Sequence, residues 1–391
     1  MPQILLKTSV RELVGFVLRS GNLVSDGFSR PDRMVEGTRG HQKVQNARPD
    51  EYKAEVPVTY LLENDDIALE ISGRIDGLLA EDDGTILIEE IKTTTVDVEE
   101  DPPGNSTHWA QAKVYAFIVT ADSNLDSIDI QLTYLQLDTW KRNEDRRTFL
   151  STDLANFFAD LVEKYLHWAR IYHQWCLKRD VALADLEFPF PEYRLGQRDL
   201  AVTVYRTIEQ ETRTYAQAPT GIGKTISTLF PAVMAMGKGH TEKIFYLTAK
   251  TIGRTVAEKA IDDLRQNGAQ LKSLTLIARD KICFKPNGGT SCDPEQCEFA
   301  QGYYDRINDA LEDIFDEDAF TRSVIEGYAQ KHTVCPFEFS LDLSLWSDIV
   351  ICDYNYVFDP RAHLKRFFQD NKGRYAFLID EAHNLVDRAR E

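Results

Sequence analysis

Ala218-Pro-Thr-Gly-Ile-Gly-Lys-Thr225 decides how this chain is read. Arg213-Thr-Tyr-Ala216 ahead of it reads as a strand, and Ile226-Ser-Thr-Leu-Phe230 behind it as a helix. A glycine-containing loop between strand and helix leaves backbone N–H groups free to surround a polyphosphate, and the helix N-terminus adds partial positive charge. Gly221 and Gly223 supply the loop, Lys224 is placed for the outer phosphates of ATP and Thr225 for Mg2+. Ala218 stands where the strict pattern has glycine, so a second motif is needed. The apolar run Tyr375-Ala-Phe-Leu-Ile379 provides it, ending in Asp380-Glu-Ala-His383, a DEAH box. A buried strand delivering Asp380 and Glu381 to its C-terminal edge is what a magnesium-nucleotide site on an open parallel sheet requires. The two motifs together predict a nucleotide-hydrolysing core in which Glu381 positions the attacking water.

The 391 residues are long enough for two or three domains, each with its own core. No secretory signal or membrane-spanning run is evident, so the expectation is a cytoplasmic protein with no membrane partner. A net charge of -18 excludes a generally basic nucleic-acid binder. The acid is concentrated: residues 61–105 hold fourteen acidic side chains against two basic ones. Any DNA contact must therefore use local grooves. Six cysteines are too few for a disulfide scaffold, yet Cys283, Cys292 and Cys297 fall close together, which calls for a metal.

In the first part, Ser9 followed by apolar residues at helical spacing predicts an amphipathic helix to Arg19, and a second helix contains Gly37 to His41. Strands are expected at 56–62, 67–75 and 85–92, a helix at 108–119 and a strand at 128–137. Alternation along a strand puts Glu90 and Lys92 on one face, and Asp76, ending the preceding strand of the hairpin, can converge on them. Two carboxylates bind Mg2+ or Mn2+, while Lys92 offsets charge in a transition state. Gln111 and Tyr115, spaced i and i+4, share a helix face.

Taken in order, Gly37/His41, Asp76, Glu90/Lys92 and Gln111/Tyr115 resemble the PD-(D/E)XK nucleases of the RecB-like branch. The resemblance implies that His41, Asp76 and Glu90 ligate metal, that Lys92 is catalytic, and that Gln111 and Tyr115 contact DNA or order the site. Ile75 replaces the proline of the family name. The cysteines that staple some relatives with an iron-sulfur cluster are absent from this part of the sequence, so no cluster is expected here.

Apolar residues from Leu154 to Lys178 at three and four spacing predict one long helix, and the proline-containing stretch 180–191 a boundary. Gln197 sits just upstream of the phosphate loop, where helicases read the adenine edge. Lys243-Ile-Phe-Tyr-Leu-Thr-Ala-Lys-Thr251 predicts a strand ending in polar residues, and resembles the helicase motif that touches single-stranded DNA, with Thr248, Lys250 and Thr251 as contacts. Cys283, Cys292, Cys297 and Cys335 are separated by eight, four and thirty-seven residues, a spacing that leaves zinc and an iron-sulfur cluster both open.

The phosphate loop, this four-cysteine insert, Asp353-Tyr-Asn-Tyr356 and the DEAH box together resemble the XPD/DinG-like superfamily 2 DNA helicases over residues 190–391. That resemblance implies a 4Fe-4S cluster on the four cysteines and movement 5′ to 3′. The expected fold class is α/β: a PD-(D/E)XK mixed sheet flanked by helices over residues 1–180, then part of a RecA-like parallel sheet over 181–391, with the iron-sulfur insert at about 268–345. The family continues past the DEAH box into an arch domain and a second RecA-like domain, whereas this sequence stops eight residues after His383. The 391-residue polypeptide alone is therefore not expected to work as a translocase, and a C-terminal helicase half is an expected requirement. The resulting expectation is a DNA-processing enzyme, helicase and nuclease in one, acting on single-stranded or forked DNA. Its alternative is a non-catalytic DNA-binding platform.

Overall fold

The computed structural model describes residues 4–23, 31–64, 67–95, 97–98, 106–219, 221–249, 251–285, 292–359, 364–368 and 373–388. The chain divides into two compact units, Met1–Arg19 with Asp26–Ala169 and Ser20–Ser25 with Arg170–Glu391. Among the described residues no helix is long and apolar enough to cross a membrane.

The first unit opens with β1 (Ile4–Ser9) and α1 (Val10–Val17). The Ser9 hydroxyl accepts from Glu12 N at 3.1 Å and the Glu12 carboxylate from Ser9 N at 3.0 Å, a reciprocal cap that satisfies two otherwise open donors. There follow α2 (Pro31–Gln45), β2 (Lys53–Glu63), β3 (Ile67–Ala80), β4 (Ile86–Thr94), α3 (Ser106–Ser123), β5 (Ser127–Gln136), β6 (Arg142–Leu150) and α4 (Ser151–Ala184). Most of these lie within a few residues of the sequence expectation. The strand β6 was not expected: its sequence, Arg-Asn-Glu-Asp-Arg-Arg-Thr-Phe-Leu, has no apolar alternation, and pairing with β5 along its whole length makes it a strand.

The sheet is mixed, in the order β1-β3-β4-β5-β6, with β2 antiparallel on the other side of β3. Along one edge of β3, β1 runs parallel at Ile67–Ser72 and β4 antiparallel at Gly77–Ala80, which leaves residues 73–76 in a fork between them. Leu69, Ile71 and Ile75 of β3 are fully buried in one core with Ala112, Val114 and Ile118 of α3 and Leu154, Phe158 and Leu161 of α4.

The second unit contains α5 (Gln197–Glu209), α6 (Lys224–Gly237), β7 (Lys243–Leu247), α7 (Thr251–Gln266), β8 (Ser273–Thr275), α8 (Arg279–Ile282), α9 (Tyr303–Ile314), β9 (Ala319–Phe320), α10 (Arg322–His332), α11 (Pro336–Trp346), β10 (Ile349–Cys352) and β11 (Tyr375–Ile379). Its five strands are all parallel in the order β11-β7-β10-β8-β9. β7 and β10 are buried at every position, as strands covered on both faces must be. β8 and β9 fall inside the range expected for the cysteine insert and are nonetheless strands of this sheet.

The expected strand at Arg213–Ala216 does not form. Residues 212–219 carry no secondary structure and Tyr215 is 92% exposed. The physical reason is composition: Arg-Thr-Tyr-Ala offers no apolar run to bury on both faces of a parallel sheet. β11 is left at the sheet's edge, with Phe377 40% exposed.

Two further features tie the second unit together. Arg179 in the C-terminal part of α4 pairs with the fully buried Asp348 at 2.6 Å, and Asp348 also accepts from Lys272 N at 2.7 Å and Trp175 Nε1 at 3.2 Å. Residues 20–25 join this unit through Leu23 N to Ala300 O at 2.8 Å, Tyr304 N to Gly21 O at 3.0 Å and Gly302 N to Asn22 Oδ1 at 2.8 Å. Removing one partner of a buried ion pair strands the other's charge. Asp348→Ala is therefore expected to destabilise the second unit by about 3–5 kcal/mol, read as a lower urea midpoint.

Candidate functional sites

At the fork in the first unit the strand edges lack partners, and side chains fill in. Asp76 Oδ2 accepts from Ile91 N at 2.7 Å, and the Tyr115 hydroxyl accepts from Arg74 N at 3.4 Å. Gly73 is required here, because a Cβ on it would stand 2.6 Å from the Tyr115 ring. His41 Nδ1, from α2, lies 3.5 Å from Asp76 Oδ1. On β4, Lys92 Nζ lies 2.6 Å from Glu90 Oε1 and donates to Gln111 Oε1 at 3.2 Å. All six residues singled out in the first part of the sequence thus meet at one place.

Alternation along β4 sorts two adjacent carboxylates into different environments. Glu89 is 1% exposed but richly served: it accepts from Tyr52 OH at 2.7 Å and Gln131 Nε2 at 3.1 Å, and also from Arg48 and Thr133. Glu90 is 2% exposed, and its Oε2 has no hydrogen-bond partner. Burial pushes the Glu90 carboxyl up to about 7, against the opposing charge of Lys92. The hydrogen bond to Asp76 raises His41, in spite of partial burial. Burial lowers His108, near Lys92, to about 4.

The carboxylate that joins His41 and Asp76 most closely is not the expected one. Among the described residues, ligand atoms of His41, Glu55 and Asp76 lie within 4.8 Å of one another, while Glu90 turns toward Lys92. Nothing in the sequence marks Glu55; only the pairing of β2 with β3 brings it there.

In the second unit, Gly221 and Gly223 have φ of 84° and 83°, the left-handed region that glycine enters without steric cost. Lys224 begins α6, with Nζ 3.4 Å from Ala218 O and 3.7 Å from Glu381 Oε1. Thr225 Oγ1 is 3.4 Å from Tyr246 OH. Asp380 and Glu381 follow β11, and burial, with the Glu381 charge, raises the Asp380 carboxyl. The Tyr354 hydroxyl bonds to Asp380 O, which brings the Asp353–Tyr356 segment to the same strand ends.

Gln197 is 3% exposed and lies against the loop: a Cβ on Gly223 would stand 2.7 Å from its Nε2. Thr248 is only 3% exposed, whereas Thr251, the first residue of α7, faces outward. Lys250 lies outside the described residues.

Cys283, Cys292, Cys297 and Cys335 line one cavity with Phe284, Phe299 and Arg279. Burial pushes the Cys335 thiol up to about 12 and raises Cys292 as well.

Residues 248–391 match the DEAD_2 family model. About half of the chain is XPD-like in sequence. The XPD/RAD3 helicase subunit of transcription and DNA repair factor IIH from Saccharomyces cerevisiae is 24% identical over 238 residues, 51% of this chain and 29% of the relative. A homologue of regulator of telomere elongation helicase 1 from Drosophila persimilis is 24% identical over 263 residues, 52% of this chain and 25% of the relative. A solved structure titled XPD_Helicase aligns at 18% identity with a TM-score of 0.35, covering 51% of this chain and 34% of that one. The chain thus spans less than a third of the curated relatives it is compared with here.

The raised Glu90 carboxyl has a consequence for stability. Its folded-state pKa lies above its ordinary 4.5, so the contribution is fully present below about 4.5 and is lost as pH rises through about 7. In the metal-free protein, Glu90→Gln is expected to lose less stability than wild type across that window, measured by urea unfolding at a series of pH values.

Proposed function

We propose that the chain is a DNA-processing enzyme in which a metal-dependent DNA nuclease is joined to the ATP-binding half of an iron-sulfur helicase that moves 5′ to 3′. The observation that carries the nuclease reading is the Glu90 carboxylate, nearly sealed from solvent, with one oxygen unserved beside Asp76, His41 and Lys92. A buried acceptor with no donor is costly, and a cation relieves that cost. The donor set of one imidazole with carboxylates suits Mg2+ or Mn2+. Such an ion supplies Lewis acidity toward a phosphodiester oxygen. Lys92, held between Glu90 and Gln111, is placed to offset charge growing on the phosphate. Tyr115 fixes the fork on which Asp76 stands.

In the second unit the readings are of the same kind. Lys224, Thr225, Asp380 and Glu381 hold Mg-ATP, with Gln197 at the adenine end and Thr251 toward single-stranded or forked DNA. The four thiols hold a 4Fe-4S cluster, supported by their shared cavity. Whole-protein unwinding belongs to this proposal, since the chain spans 29% and 25% of the two helicase relatives.

Incubation with Mn2+ and labelled single-stranded DNA tests the nuclease. Wild type is expected to yield products and Asp76→Ala none, with iron content and visible absorption unchanged. Cutting retained by Asp76→Ala overturns the site, and no cutting by wild type favours a non-catalytic DNA-binding platform. Cys292→Ser is expected to lose most of about four irons per chain. Lys224→Ala is expected to weaken ATP binding about 10- to 100-fold, since a charge-assisted hydrogen bond contributes about 1.5–3 kcal/mol.

A further inference from the structure

Glu55 has no role in the nuclease reading, yet the fold holds it at that site at a steric cost. β2 pairs with β3 at Ala54 with Gly77 and at Val56 with Ile75, which sets Glu55 opposite Asp76. At that one position the pairing lapses, and Glu55 adopts φ of 56°. A non-glycine residue in the left-handed region is strained, and such strain persists only where surrounding contacts hold it. Two contacts hold it: Arg74, 3.7 Å from Glu55 Oε2, and Gln45 on α2, one helical turn beyond His41. Its Nε2 donates to Glu55 Oε1 at 2.9 Å and to Asp76 O at 3.0 Å, locking the two acidic residues together.

We propose that Glu55 is a ligand of the divalent cation bound by His41 and Asp76, an inference that rests on the reading of this fork as a metal site. Ligand atoms of the three residues already lie within 4.8 Å of one another. Glu90 gives an independent sign that a cation belongs there. It is 2% exposed with Oε2 unserved, and it precedes Ile91, whose N–H donates to Asp76 Oδ2. Glu55 is 45% exposed at the side chain, against 28% for His41 and 15% for Asp76, so it is the most solvent-facing of the three.

The test is direct binding of Mn2+ alone, followed by the electron paramagnetic resonance signal of the free ion, with folding checked by circular dichroism. Wild type is expected to bind, Asp76→Asn to lose binding, and Glu55→Gln to bind about tenfold more weakly or worse, since even outer hydrogen-bond partners of a bound metal change affinity about 10- to 100-fold. Glu55→Gly, which suits the left-handed backbone, is expected to show the same loss with a melting temperature no lower than that of Glu55→Gln. Wild-type affinity in both Glu55 variants, with binding lost in Asp76→Asn, overturns the role of Glu55 and leaves the metal site standing. Binding absent from wild type, or untouched by Asp76→Asn, overturns the metal site and Glu55 with it.

Discussion

The bond from Ile91 N to Asp76 Oδ2 at 2.7 Å is the constraint on which the first unit's site depends. Where β1 ends and β4 begins, the central strand β3 loses its neighbour for four residues, and backbone groups there need partners. A buried N–H left unpaired costs about 1–3 kcal/mol. A carboxylate fills one vacancy and a phenol hydroxyl another. The same side chains that form the site therefore also hold the sheet together where it splits. The acidic group at Asp76 is placed by the backbone and not by a flexible side chain reaching from a loop.

The contrast between Glu89 and Glu90 shows how one strand produces a carboxylate rich in donors and another with an oxygen left unserved. Period-two alternation sends them to opposite faces. The Glu89 face is packed with donors, so its charge is fully compensated. The Glu90 face offers one ammonium to two oxygens. Perturbed groups of this kind gather where chemistry is done.

Much of this was legible in the sequence, for identifiable reasons. His41, Asp76, Glu90, Lys92, Gln111 and Tyr115 were singled out together by their resemblance to a nuclease pattern, while strand and helix periods put Glu90 with Lys92 and Gln111 with Tyr115 on shared faces. Lys224 and Asp380 were singled out because a phosphate loop and a strand ending in acid are local patterns. Glu55 was invisible because its role depends on β2–β3 register, a tertiary property with no local trace. The strand β6 was hidden for the same reason: its partner makes it a strand, and its composition does not. At Arg213–Ala216 the error ran the other way. Its position before the phosphate loop implied a strand, but Tyr215 and its neighbours cannot supply two buried faces, and the segment stays exposed.

The path of Ser20–Ser25 carries an implication for anyone wishing to dissect this polypeptide. Gly21, Asn22 and Leu23, which follow α1, bond to Tyr304, Gly302 and Ala300 of the second unit, whereas α2 with His41 belongs to the first. Neither half is a contiguous stretch of gene. A fragment ending near residue 169 would strip that excursion of its support, and one beginning there would lack the inserted piece.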